Sequence, residues 1–307
     1  MRTFNTPEPI TVHVEVGAGD LRIIASDRTD TTVDVRPSDP HRKGDLTAAE
    51  QTRIDFSAGR LEVKSPKGWK HYTFWGRGES VAIVIEVPTG STVRVDAGMA
   101  PIHCTGRLGD SQFRSGAGDI HIEDVGTCNV MTGAGEVAID RAGGDTVVTT
   151  GTGGIRVGAA NGTVSVKNAN GDTWVGEAAG DVRVHAANGK IIVDRAMAGV
   201  TAKSACGALS FGEVRRGVVV AQTAYGSIEV GVLDGVAAWL DLDTKYGNVN
   251  NGLDAARPEP GEDTVEIRAG TAFGDITVRR SRPKAGAANG SGPTGSGPTG
   301  SNGKAES

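Results

Sequence analysis

Residues 162–193 read GTVSVKNANGDTWVGEAAGDVRVHAANGKIIV, with a glycine at 162, 171, 180 and 189. Apolar side chains stand two and four residues after most of these glycines: Val164 and Val166, Val182 and Val184, Ile191 and Val193. The residues between them are polar or small. Alternation with a period of two is the mark of a strand with one buried face. A short strand and a turn therefore recur about every nine residues.

The rhythm extends outward in both directions. It begins at Gly109, passes through Gly118, Gly126, Gly135, Gly144 and Gly153, and continues through Gly199, Gly207, Gly217, Gly226 and Gly235. It loosens at Gly247 and returns at Gly274. A nine-residue strand unit can build antiparallel hairpins or a coil of two strands. Alternate units resemble each other more than adjacent ones, which favours the coil. The residue before every second glycine runs Ala117, Ala134, Thr152, Asn170, Asn188, Cys206, Tyr225, Tyr246, Phe273. That graded series predicts one stacked corner ladder. The predicted fold is all-β: a single-stranded parallel β-helix (β-solenoid) with coils of about 18 residues and a β-rich N-terminal cap. Glycine at each corner is assigned to positive φ, which it adopts without a Cβ penalty, with Asn as a tolerated neighbour.

The organisation expected is a β-rich part or cap over 1–90, solenoid repeats over 91–281 that continue the same domain, and a disordered Gly/Ser/Pro tail over 282–307. In the first part, strands are expected at 10–16, 21–25, 32–35, 52–57, 61–64 and 81–87, with a polar connection through 37–50. The tail contains GSGPTG followed by SGPTGS and no aliphatic side chain larger than alanine, a composition with nothing to bury.

Composition excludes several function classes. The 307 residues carry 32 basic and 37 acidic side chains, which disfavours a nucleic-acid binder. Cys104, Cys128 and Cys206 are too few and too irregularly spaced for a disulfide framework, a zinc site or a redox pair. They read as small buried residues. No window is apolar for the length of a transmembrane span, and the start MRTFNTPEPITVHVEV has no signal-peptide run. A cytoplasmic location is the expectation.

Motifs for catalysis were sought and none assembles. The acids directly after the marker glycines (Asp20, Asp110, Asp119, Glu136, Asp145, Asp172, Asp181 and Asp275) do not converge, and Gly-Asp is ordinary turn chemistry. Calcium β-rolls place their Asp elsewhere in the nine-residue unit. His103 and His121 lie one coil apart and stack on the outside, two ligands short of a tetrahedral metal site. GAGD at 17–20 and 116–119 has no helix behind it to cradle a phosphate. No cofactor and no metal are expected, and the reading is not an enzyme.

One stretch is chemically distinct. Residues 67–78 read KGWKHYTFWGRG. Trp69, Tyr72, Phe74 and Trp75, with Lys67, Lys70 and Arg77, form the candidate binding residues: an aromatic-cationic loop suited to a protein partner, a sugar or a membrane surface. The competing reading is a hairpin whose aromatics cover the solenoid end.

Several segments resemble one bacterial group. GAGDLRIIASDRTDTTVDVRPSDP near the start, VAIVIEVPTGSTVRV before the repeats, the units SGAGDIHI and TAYGSIEV, and the closing TAFGDITVRRS are similar to the "putative adhesin", or toast-rack, family of β-strand-repeat domains. The resemblance covers residues 1 to about 281. It implies a β-helix-like domain of actinobacterial type without established catalytic residues, and relatives joined to membrane segments and to envelope-stress responses. The function expected is a non-catalytic scaffold that docks an unknown protein or envelope component. A glycan-binding or glycan-cleaving β-helix is the alternative.

Overall fold

The computed structural model describes residues 1–66, 79–254 and 263–281. Two parallel sheets face each other across a narrow interior, and the chain passes from one to the other at each corner. One sheet holds strands Ser111–Ala117, Cys128–Ala134, Thr146–Thr152, Val164–Asn170, Val182–Asn188 and Val200–Cys206. The other holds Ile120–Val125, Val137–Ala142, Ile155–Ala160, Thr173–Ala178, Ile191–Ala196 and Leu209–Val214. Val164 pairs with Val182 and Ile155 with Thr173, a shift of one 18-residue coil. The predicted parallel solenoid is the observed fold.

The interior is aliphatic because the pleat sends every second side chain inward. Val164, Val166, Val182, Val184 and Ile191 are fully buried. Each contributes roughly 1.5–3 kcal/mol relative to exposure. Phe113 and Phe211 are the largest fully buried side chains. A third inward position on the first sheet is polar, and it closes the corner. Asn168, 3% exposed, donates from Nδ2 to the carbonyls of Gly153 (3.1 Å) and Gly171 (2.9 Å).

The N-terminal part joins the same stack. Thr11–Ser26 is one long strand that serves both sheets. Its first half pairs with Arg60–Lys64 and Thr92–Met99, and its second half with Val81–Pro88 and Ile102–Leu108. Antiparallel strands then finish this end: Arg53–Ser57 beyond Arg60–Lys64 in one sheet, and Asp30–Pro37 followed by Arg2–Asn5 in the other. The expected polar connection at 37–50 holds a helix, Lys43–Gln51. Leu46, Thr47, Ala48, Ala49, Glu50 and Gln51 include good helix formers. Buried Asp45 anchors the helix by accepting the N–H groups of Asp39 and Ser80, both at 3.1 Å.

The C-terminal end departs from the sequential ladder. After Gly217–Tyr225 and Ile228–Val232, the chain does not lay its next strands alongside. Ala237–Tyr246 and Val249–Asn251 take the outermost position among the described residues. Thr264–Phe273 and Ile276–Arg280 then return and fill the slot left open, pairing in parallel with the earlier coil on one side and the outer coil on the other. The corner ladder therefore runs Tyr225, Phe273, Tyr246, correcting the order expected from the sequence. Tyr225 stacks on Phe273 at 4.9 Å between ring centroids, and Phe273 on Tyr246 at 4.8 Å.

Candidate functional site

The surface is built from columns of equivalent residues, so each column was followed for convergent chemistry. The two corners differ, which corrects the single role given to glycine. At one corner Gly118, Gly135, Gly153, Gly171, Gly189, Gly207, Gly226 and Gly274 all have φ between 126° and 150°. At the other, Gly126 and Gly162 are not among the positive-φ glycines; they are needed for space. A Cβ on Gly126 would fall 2.7 Å from Asp110 Oδ1, and one on Gly162 2.6 Å from Asp145 Oδ1. Asn takes no positive φ at either corner, since Ala58 is the one such non-glycine residue among those described. Instead Asn188 donates from Nδ2 to Oδ1 of Asn170, 2.9 Å away.

Most of the acids after the marker glycines turn out to be clasps between coils. Asp110 accepts the backbone N–H of Thr127 (2.8 Å), Asp119 that of Glu136 (2.8 Å), Asp145 that of Thr163 (2.8 Å) and Asp172 that of Lys190 (2.7 Å). Asp181 and Asp275 act likewise on Gly199 (3.2 Å) and Asn248 (2.8 Å). Each carboxylate ties its coil to the next by a charge-assisted bond. The N–H of Thr127 holds the Asp110 carboxyl below its usual range. Asp20 lies apart and pairs with Arg22. The column is a structural seam.

His103 and His121 do occupy paired positions in neighbouring coils, with ring centroids 6.5 Å apart. Asp140 is 3.6 Å from His121 Nε2. No group of three or more His, Cys, Asp or Glu is placed to hold a metal among the described residues. Cys104 and Cys128 are buried, and burial pushes both thiols up, Cys128 to about 12. Cys206, expected inside, is exposed; its place in the outward corner ladder, between Asn188 and Tyr225, puts it there.

The candidate binding residues Lys67, Trp69, Lys70, Tyr72, Phe74, Trp75 and Arg77 lie outside the described residues. Of the remaining tryptophans, Trp174 is half-buried, with the Arg156 guanidinium 4.7 Å from its ring centroid. Trp239 is 70% exposed. The last coils also expose Val218, Tyr225, Tyr246, Val249 and Phe273. Leu240 and Leu242, which face inward from the outermost strand, are only half-buried. Sequence reasoning missed this concentration. Its signal was the loosened glycine spacing after Gly235, which marks the place where simple stacking ends.

No helix among the described residues is long and apolar enough to cross a membrane. Stacked parallel coils, clasped at their corners, define a β-solenoid domain. The chain belongs to the Toastrack DUF4097 family, whose sequence pattern matches residues 10–279. No curated protein matches it. Among solved structures it is similar to "a putative adhesin" from Parabacteroides merdae, at 10% identity over 91% of this chain and 95% of that one, with a TM-score of 0.40. It is also similar to "a putative cell adhesion protein" from Clostridium sporogenes, at 12% identity over 91% and 98%, with a TM-score of 0.27. A third, "a putative adhesin" from Bacteroides fragilis, shares 13% identity over 90% and 95%, with a TM-score of 0.29.

Proposed function

We propose that this chain is a non-catalytic, adhesin-like interaction module whose C-terminal rod end docks a protein partner at the cell envelope. The observation that carries the reading is the set of large apolar side chains that the last coils leave exposed: Trp239, Tyr246, Val249, Val218 and the Tyr225–Phe273 stack. Exposed aromatic side chains serve as anchors that dominate binding energy at interaction sites. The glycan reading depends on Trp69 and Trp75, and among the described residues Trp174 is already engaged by Arg156; no observation carries it further.

The test is affinity capture from the native envelope fraction with the full chain and with Trp239→Ser/Tyr246→Ser. The reading expects a specific protein retained by the first and lost by the second. Equal capture by both, or turnover of a small molecule by the purified chain, would defeat it.

A further inference from the structure

Many arginines among the described residues are neutralised in place. Arg22, Arg28, Arg36, Arg42, Arg141, Arg183, Arg195, Arg268 and Arg279 each lie within salt-bridge distance of a carboxylate. Arg94 and Arg114 differ. Neither has a carboxylate in range among the described residues, and both line one cavity of about 220 Å³ with His13, Arg60, Val95, Asp96 and Gln112.

The folding of the coil creates this cluster. His13, Arg94 and Gln112 occupy one cross-strand row, and Asp96 and Arg114 the next. The nearby acids are already committed. Glu62 lies 3.3 Å from Arg60 Nε and 3.0 Å from Lys64 Nζ, and Lys64 also reaches Glu15 at 3.6 Å. Asp96 engages His13 Nε2 at 3.3 Å. Two guanidiniums are left without a counter-charge beside a third, Arg60. The Gln112 amide offers another donor. Asp96 is the one carboxylate in the lining, and its charge is directed towards the imidazole.

We propose that this cavity is an oxyanion site that takes the phosphate group of a phosphate ester. Planar guanidinium forks match the oxygens of phosphate in bidentate pairs. An anion held there also relieves the repulsion between neighbouring unpaired arginines. The cavity of about 220 Å³ has room for a phosphate and the first atoms of its ester. The site is on an outer sheet face near the N-terminal end, away from the proposed docking end, so it stands or falls independently of that reading.

The experiment is titration of the full chain with inorganic phosphate at constant ionic strength, following arginine Nε–H resonances. Saturable shifts are expected at Arg94 and Arg114, and none at Arg183, which Asp181 holds at 2.8 Å. The Arg94→Gln/Arg114→Gln chain should bind at least about tenfold more weakly, a loss of about 1.4 kcal/mol, while Arg183→Gln should bind as the parent does. Unchanged amide spectra would show that the variant remains folded. A second arm compares phosphatidylglycerol with phosphatidylcholine vesicles. Binding to the former, lost in the double variant, assigns the phosphate to a lipid headgroup. Saturable phosphate binding without vesicle binding assigns it to a soluble or polymeric ester. Shifts that rise linearly without saturation, or persist unchanged in the double variant, overturn the site.

Discussion

Gly171→Ala tests the corner physics in the middle of the stack. Gly171 has φ of 134°, a region closed to L side chains except at a cost of about 1–3 kcal/mol. A Cβ there would also fall 2.1 Å from the Gly153 carbonyl oxygen and 2.6 Å from its carbon. That neighbour is backbone of the preceding coil, paired on both sides, so it cannot swing away. Overpacking of this kind adds about 1–3 kcal/mol. The two costs together predict a loss of about 2–6 kcal/mol. Gly59→Ala supplies the control. Gly59 has φ of 72° with nothing within 4 Å of a Cβ, so only the backbone cost applies. Urea unfolding followed by circular dichroism should place Gly171→Ala well below both the parent and Gly59→Ala. A Gly171→Ala protein as stable as Gly59→Ala would refute the close-packed corner.

Other outcomes follow from the same geometry. A thiol reagent at neutral pH should modify Cys206 in the native chain and leave Cys104 and Cys128 unreacted until unfolding, since burial raises both thiol pKa values; modification of all three at one rate would contradict the burial. The Asp110 clasp should be pH-dependent. Its folded-state pKa is lowered by the Thr127 N–H, so its contribution is present above the unfolded value near about pH 4 and disappears as pH falls through the folded value. Melting temperatures of the parent and Asp110→Asn should therefore differ at pH 7 and converge in strong acid. A gap that stays constant with pH would show that the carboxylate charge plays no part.

The coil was legible in the sequence because a solenoid repeats its local physics. Val164, Val166, Val182 and Val184 announce buried strand faces, and the marker glycines announce corners. The order of the last coils was not. Ala237–Tyr246 and Thr264–Phe273 both alternate and both end in an aromatic before glycine, so either could sit at the rod end. The discriminating signal is charge on the outward face. The outer strand carries Asp241, Asp243 and Lys245 on its outward face, charges that discourage edge-to-edge association. The inserted strand carries Val265 and Ile267, both fully buried. The helix at 43–51 escaped because it is short and polar, and its anchor is buried Asp45 rather than an apolar stripe. The arginine cavity escaped because Arg60, Arg94 and Arg114 are distant in sequence and become neighbours only through the coil period.

Amide hydrogen exchange across the C-terminal coils addresses the architecture most directly. The inserted order predicts slow exchange throughout 264–273, where strands flank both edges, and faster exchange at alternate amides of 237–246 on the open edge. Protection of 237–246 with rapid exchange over 264–273 would mean that the coils stack in chain order, and the returning strand described above would be wrong.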